Sequence, residues 1–254
     1  MTLRRVLLDG RFWLVTVAAV ASVAATASLG RWQLDRAAQK QALQSAIDER
    51  MRLPAIDGRS LARLETAGER EAVLHRQVAL RGRWVAQHTV YLDNRQMRGR
   101  QGFLVVTPLQ LERSQLVVLV QRGWVPRNFQ DRTALPPVVT PEGVVELAGR
   151  MAATPARLLE LEGSDNAPGA SRIRQNLDLV AFRAETGLPL AEVTVLQTGA
   201  EGDGLLREWP MVSAGVEKHH GYAFQWFGLS GLIATLYVWF QLVRRFLRHR
   251  RSAP

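Results

Sequence analysis

Residues 222–243 read YAFQWFGLSGLIATLYVWFQLV and residues 12–30 read FWLVTVAAVASVAATASLG; neither stretch carries a charge, and the polar bulk of the chain lies between them. At about 1.5 Å of rise per residue, the later run covers roughly 33 Å as a helix and the earlier one slightly less, enough for a hydrocarbon core. A backbone in lipid must satisfy its own hydrogen bonds, so both runs are expected as transmembrane helices. Trp13, Tyr222, Trp226, Tyr237 and Trp239 would suit the interfaces. Burial as core helices of a soluble protein is the competing reading, and it fits poorly because such long uncharged runs are rare there.

The formal charge of +10 suggests a nucleic-acid binder until it is placed along the chain. Arg4, Arg5 and Arg11 outweigh Asp9 before the first run, and Arg244, Arg245, Arg248, Arg250 and Arg251 follow the second. Positive-inside bias explains that distribution, puts both termini in the cytoplasm or a mitochondrial matrix, and argues against nucleic acid as a partner. The expected division is 1–11 N-terminal cytoplasmic segment, 12–30 first span, 31–218 exported domain, 219–243 second span and 244–254 basic cytoplasmic tail. The exported segment is long enough for one domain with a real core. No cysteine occurs, which excludes disulfides, thiolate metal sites and thiol nucleophiles. Ala25-Thr26-Ala27 has the form of a signal-peptidase site, but the helical pattern continues past it and favours retention of the first span.

From Arg31 to Arg52 apolar residues recur at near-helical spacing without a proline, so residues 31–52 are read as a helical extension of the first span. Residues 57–72 are polar and mixed, a short helix or loop. The period then changes to two, predicting strands over 73–84, 89–92, 102–107, 116–121, 143–149, 172–177 and 192–198. Asp93-Asn94, Gly99 to Gly102, Pro108 and Pro126 to Asn128 read as turns between them, and 177–186 reads as a short helix ended by Gly187. Pro136-Pro137 with Pro141, Gly163 to Gly169 and Gly199 to Gly204 read as loops. The expected fold class is an α+β membrane protein. Two transmembrane helices flank one exported β-rich domain, an antiparallel sheet or partly closed barrel with short helices.

Enzyme motifs are missing: there is no His-Glu-x-x-His pair, no Gly-x-Ser-x-Gly elbow and no phosphate-cradling glycine loop. Met97, Met151 and Met211 are too scattered in sequence for a soft copper site. Of five histidines, His249 lies in the basic tail, and His75 and His88 lie on predicted strands without a second ligand. His219 and His220 differ, because they stand at the external mouth of the second run. His219, Tyr222, Ala223 and Trp226 fall on one helical stripe, an imidazole above an aromatic wall. Such a stripe suits either an interfacial histidine in an aromatic belt or an axial ligand for a flat cofactor such as haem. In the second case Arg31, Arg36, Arg95 or Arg122 would be available for its propionates. Both readings stand at this level.

Five motifs, in order, carry a family resemblance: Leu29-Gly30-Arg31-Trp32-Gln33-Leu34-Asp35-Arg36; Tyr91-Leu92-Asp93-Asn94-Arg95 with Gly99 to Gly102; Thr107-Pro108-Leu109; Gln121-Arg122-Gly123-Trp124-Val125-Pro126; and His219-His220-Gly221-Tyr222-Ala223-Phe224-Gln225-Trp226-Phe227. Together they resemble the surfeit locus protein one family, a two-span membrane group that assists assembly of haem-copper cytochrome c oxidase and, in bacteria, is implicated in handling haem a. The resemblance implies a non-enzymatic assembly factor in the bacterial inner membrane, its central domain periplasmic. It would bind haem a non-covalently and transiently on behalf of oxidase subunit I, with haem a synthase as a further partner. The family's His-x-x-Tyr-Ala motif falls on His219, Tyr222 and Ala223, which makes His219 the expected metal ligand and the neighbouring His220 a backup.

Trp226 extends that stripe. Trp32, Gln33 and Arg36 leave the first span at the same level, and Trp32 and Gln33 are expected to face His219 across the helix pair. The sequence departs from the family where Gln121 stands in place of a common Asn and where Val212 to Lys218 lacks one. Arg122-Gly123-Trp124 has its own physical reading, a bulge or close backbone approach at a strand end. The competing function is a scaffold that holds oxidase subunits and never touches haem.

Overall fold

The first apolar run forms part of one unbroken helix, α1 (Gly10–Arg52), in a computed structural model that describes residues 10–131, 134–155, 171–199, 203–209 and 215–244. The last described helix, α5 (Val216–Tyr237), continues as a π-helical turn over Val238–Val243. Both are long and apolar enough to cross a membrane, and only 6% of each apolar window is buried. A core helix of a soluble domain would be largely covered. Leu14, Val17 and Val20 on α1 and Leu232, Leu236 and Phe240 at the other end are exposed, as side chains facing lipid would be.

The two helices run antiparallel within one compact unit, formed by the chain up to Ser45 and from Met211 onward. Between residues 16 and 40 of α1, Thr16, Ala19, Val23, Thr26, Gly30, Gln33, Ala37 and Lys40 form a buried or half-buried stripe spaced alternately by three and four, with Ala27 beside it. On α5, Val216, His219, Ala223, Trp226, Ser230, Ile233 and Tyr237 form a stripe with the same alternation, Ala234 lying beside it. A period of 3.5 marks the seam of a left-handed helix pair. Small residues let the backbones approach: a methyl group added at Gly30 would lie 2.9 Å from the Phe227 ring. Polar contacts set the register, Thr16 Oγ1 lying 2.8 Å from Tyr237 OH while Ser230 Oγ donates to the Val23 carbonyl at 3.3 Å.

The second unit, Ala46–Pro210, holds the sheet. Its elements are β1 (Ile56–Asp57), α2 (Gly58–Leu61), α3 (Ala67–Ala72), β2 (Gln77–Trp84), β3 (Val90–Met97), β4 (Arg100–Leu111), β5 (Val117–Pro126), β6 (Val144–Ala152), β7 (Ile173–Arg174), α4 (Leu179–Thr186) and β8 (Leu190–Gln197). The order is β1-β2-β6-β8-β5-β4-β3-β7, and β2 pairs with β4 as well as β6. That extra ladder, Gly82↔Leu111 to Trp84↔Leu109, closes β2, β6, β8, β5 and β4 into a five-stranded ring of the Greek-key kind. One core cluster draws on all five strands, including Leu80, Leu109, Val118, Leu147 and Val193. β5 is buried on both faces, because Val118 and Val120 face that cluster while Val117 and Leu119 face a second one with Phe182 of α4.

The sheet is mixed rather than antiparallel: β1–β2, β3–β7 and β5–β8 are parallel. β8 reaches β5 only after β6, β7 and α4, a connection long enough to return the chain in the same direction. Strand limits differ too. Residues 73–76 close α3 with a turn, and His75 stands there at φ 68 before β2 begins, while His88 ends a 3-10 turn; neither lies on a strand. Asp93-Asn94 is a bulge within β3 rather than a turn, with Asn94 at φ 58, a left-handed conformation that Asn tolerates. The hairpin turn is Arg98-Gly99, both at positive φ, and Gly102 belongs to β4. Pro108 lies inside β4 where pairing with β2 ends, its carbonyl accepting from the Val85 N–H at 2.9 Å. The predicted strand over 172–177 shrinks to β7, whereas Asp178 caps α4 and Gly187 ends it in the left-handed conformation. Residues 163–169, most of the Gly199 to Gly204 turn's centre, and Arg245 onward, with His249, lie outside the described residues.

Arg174 of β7 donates to Glu185 of α4 at 2.5 Å, and this bond holds the Glu185 carboxyl below its ordinary 4.5. A carboxylate whose folded value is depressed stabilises above the unfolded value and loses that contribution as pH falls through the folded one. Melting of the β unit should therefore weaken on acidification below about 4.5, and Arg174→Met should flatten that dependence. Circular dichroism melts on either side of this pH check it; an unchanged slope in the variant would assign the acid sensitivity elsewhere.

Candidate functional site

His219 occupies the seam of the helix pair one turn into α5, and Gln33 faces it from α1. Their side chains meet with Gln33 Oε1 2.7 Å from His219 Nδ1. Above and below the pair the seam is lined by Gly30 and Ala37 on one helix and by Val216 and Ala223 on the other, none with a polar side chain. His219 is half-buried, so its ring is reachable from outside the seam.

The remaining sequence-predicted residues divide by one or two positions of helical phase. Trp226 is half-buried on the seam, whereas Tyr222 is 51% exposed on its flank. His220 is exposed off the seam. Trp32 does not face His219: it precedes the seam position by one residue, about 100° around the helix, and is 58% exposed. Arg36 is exposed and its Nη1 donates to Gln39 Oε1 at 3.2 Å. Exposed Arg31 and Arg36 share the helical unit with His219. Arg95 and Arg122 belong to the β unit and are committed there, Arg95 to the Gln175 carbonyl at 3.0 Å.

Arg122 instead builds a polar cluster that sequence reasoning missed. It is the extra residue of a bulge in β5, skipped between Val105↔Gly123 and Val106↔Gln121. Its guanidinium is buried over the Trp84 ring at 4.7 Å and donates to Thr140 Oγ1 at 2.8 Å and the Val139 carbonyl at 2.6 Å. Asp203 Oδ2 accepts from Arg122 at 3.2 Å and from Arg207 at 2.5 Å, one carboxylate shared by two cations. Burial pushes the Arg122 guanidinium below its ordinary value; Asp203 opposes that shift and Arg207 adds to it. Gly123, at φ 151, lets the β5 backbone lie against Leu205 and Leu206, and Trp124 exchanges two backbone hydrogen bonds with Leu206. The expected bulge and close approach are thus both present, in mid-strand rather than at a strand end. Gln121, the residue that departs from the family's Asn, is buried between parallel strands, its Nε2 donating to Thr194 Oγ1 at 2.9 Å.

Among the described residues no group of three or more His, Asp or Glu is placed to hold a metal ion. Gln33 engages Nδ1 of His219, and among the described residues no hydrogen bond reaches Nε2. Exposed aromatic surface at Tyr222 and Phe224 adjoins it on the same helix.

A family model described as the SURF1 family matches residues 20–231, from the first apolar helix into the second. A SURF1-like protein of Rickettsia bellii is 25% identical over 216 residues, 82% of this chain and 83% of that relative. One of Rickettsia conorii is 25% identical over 222 residues, covering 83% and 84%, and one of Rickettsia felis is 24% identical over 220, covering 83% and 89%. The match takes in most of both helices and the whole ring of strands between them, and on that footing the chain belongs to the SURF1 family.

Proposed function

We propose that this protein is a non-enzymatic assembly factor for haem-copper cytochrome c oxidase that takes haem a into transient, non-covalent custody for subunit I. The observation that carries the proposal is the His219–Gln33 contact, a histidine with one nitrogen fixed and the other open at the mouth of two apolar helices. His219 would supply the axial nitrogen, Trp226 and Tyr222 the apolar wall, and Arg36, with Arg31, the cations for propionates. Haem a, when bound, brings an iron that accepts an axial imidazole and a flat apolar ring that stacks on aromatic faces. One protein ligand on a half-exposed seam suits a carrier that must let go, whereas two ligands and deep burial suit an electron-transfer protein. The arginine-rich flanks support a topology in a bacterial inner membrane with both termini in the cytoplasm and the β unit in the periplasm.

The test is the visible spectrum of the full-length protein purified from haem-a-producing cells, beside His219→Ala, His220→Ala and the double variant. Stoichiometric haem is expected in the wild type and in His220→Ala, and its loss in His219→Ala. A folded wild type without haem, despite ample supply, would sink the carrier reading and leave a scaffold for oxidase subunits.

A further inference from the structure

Gln33 sits where it decides which nitrogen of His219 is offered. Gln33 presents its amide oxygen, which only accepts hydrogen bonds, 2.7 Å from His219 Nδ1, an arrangement in which Nδ1 carries the ring's proton. In a neutral imidazole the proton on one nitrogen leaves the lone pair on the other, and the partner of the first sets this choice. The described seam residues next to the pair, Gly30, Ala37, Val216 and Ala223, bring no side-chain donor or acceptor. Low polarity around the pair strengthens the bond and makes an unpaired Nδ1–H costly. The backbone fixes both ends. Gly30, one turn before Gln33, admits the Phe227 ring and so allows the close helix approach that brings the amide to the imidazole.

We propose that Gln33 is a positioning residue that locks His219 in the Nδ1–H tautomer, so that Nε2 faces outward as a ready electron-pair donor to haem iron. The consequence for haem rests on the carrier reading; the tautomer lock does not. Gln33 itself would not touch the iron. It would act through His219, as second partners of metal-bound histidines do when they fix ring orientation and raise ligand basicity.

The lock is read on the full-length, haem-free protein in detergent micelles with 15N-labelled histidine, at about pH 8.5, two units above the ordinary imidazole value. The His219 signals are identified by their disappearance in His219→Gln. In the wild type, Nδ1 should show the shift of a protonated ring nitrogen and Nε2 that of a bare one. Gln33→Leu should lose this pattern in favour of the other tautomer or an average, while Gln33→Glu, which can accept the same bond, should keep it. In parallel, haem titration should show Gln33→Leu binding roughly 10–100-fold more weakly. Gln33→Glu should bind near wild-type strength with a lower midpoint potential, a shift that a merely structural role would not produce. A wild-type His219 protonated on Nε2, or a Gln33→Leu spectrum matching the wild type, overturns the lock. A locked wild type that takes up no haem overturns the carrier reading, and with it the ligand-presenting role, while the lock itself stands.

Discussion

Asp203→Ala is expected to destabilise the β unit by about 3–5 kcal/mol, the cost typical of stripping the partner from a buried ion pair. Asp203 is shared by Arg122 and Arg207, whose side chains are only 2% and 5% exposed, so its loss removes the carboxylate that lies between two buried guanidiniums. The pair cannot escape cheaply. Arginine does not give up its proton at accessible pH, and Arg122 is pinned by the Val139 carbonyl and Thr140 while lying over Trp84. Arg122→Met should be milder, about 1–3 kcal/mol, because it forfeits those hydrogen bonds yet leaves Asp203 and Arg207 a balanced pair. Urea unfolding of the full-length protein in mild detergent, followed by circular dichroism, ranks the two. If Arg122→Met proved the more damaging, packing over Trp84 would outweigh charge balance.

Gly123→Ala should cost about 3 kcal/mol or more through two effects at one atom. The backbone holds φ 151, where a side chain is strained. The added carbon would also lie 2.8 Å from both Leu205 Cβ and the Leu206 carbonyl oxygen, and the oxygen is backbone that cannot swing aside. Relief would require breaking the paired Trp124–Leu206 hydrogen bonds, which hold residues 205–206 against β5. The readout is the same unfolding experiment together with amide exchange. Faster exchange at Trp124 and Leu206 is expected, and unchanged exchange there would mean that the chain absorbs the methyl group elsewhere.

Much of the architecture was legible because the signals are local. Runs without charge become helices, and the alternation in Gln77 to Trp84 marks a strand whose Val78 and Leu80 face the core. The capping box at Thr66 and Glu69, which starts α3, was equally local and could have been read from its spacing. Partner choice was less legible. Nothing in Leu190 to Gln197 says that it lies parallel to β5, and nothing near Arg122 announces an aspartate 81 positions later. Asp93-Asn94 misled because the residue types that permit a turn also permit a bulge. At the candidate site, the sequence put Tyr222 on one stripe with His219 and Trp226 and expected both Trp32 and Gln33 to face His219, whereas only His219, Trp226 and Gln33 of these lie on the seam. The difference is a single position of helical phase, and that phase is fixed by small residues such as Gly30 and Ala37 rather than by the aromatic ones that draw the eye.

The antiparallel seam also sets an order of events during synthesis. Every residue that α1 meets on α5 is translated after the entire β unit, Ala46 to Pro210. At about 5–20 residues per second this leaves the first helix waiting roughly 10–30 s for its mate. Thr16 and Thr26 can wait safely, since each already donates to a carbonyl within its own helix, at 2.8 Å to Phe12 and 2.8 Å to Ser22. The Gln33 amide gains its His219 partner only once α5 has been made. A protein that stalls or is truncated before α5 would display an unmatched amide at the end of an apolar rod, a cue that membrane quality control could read.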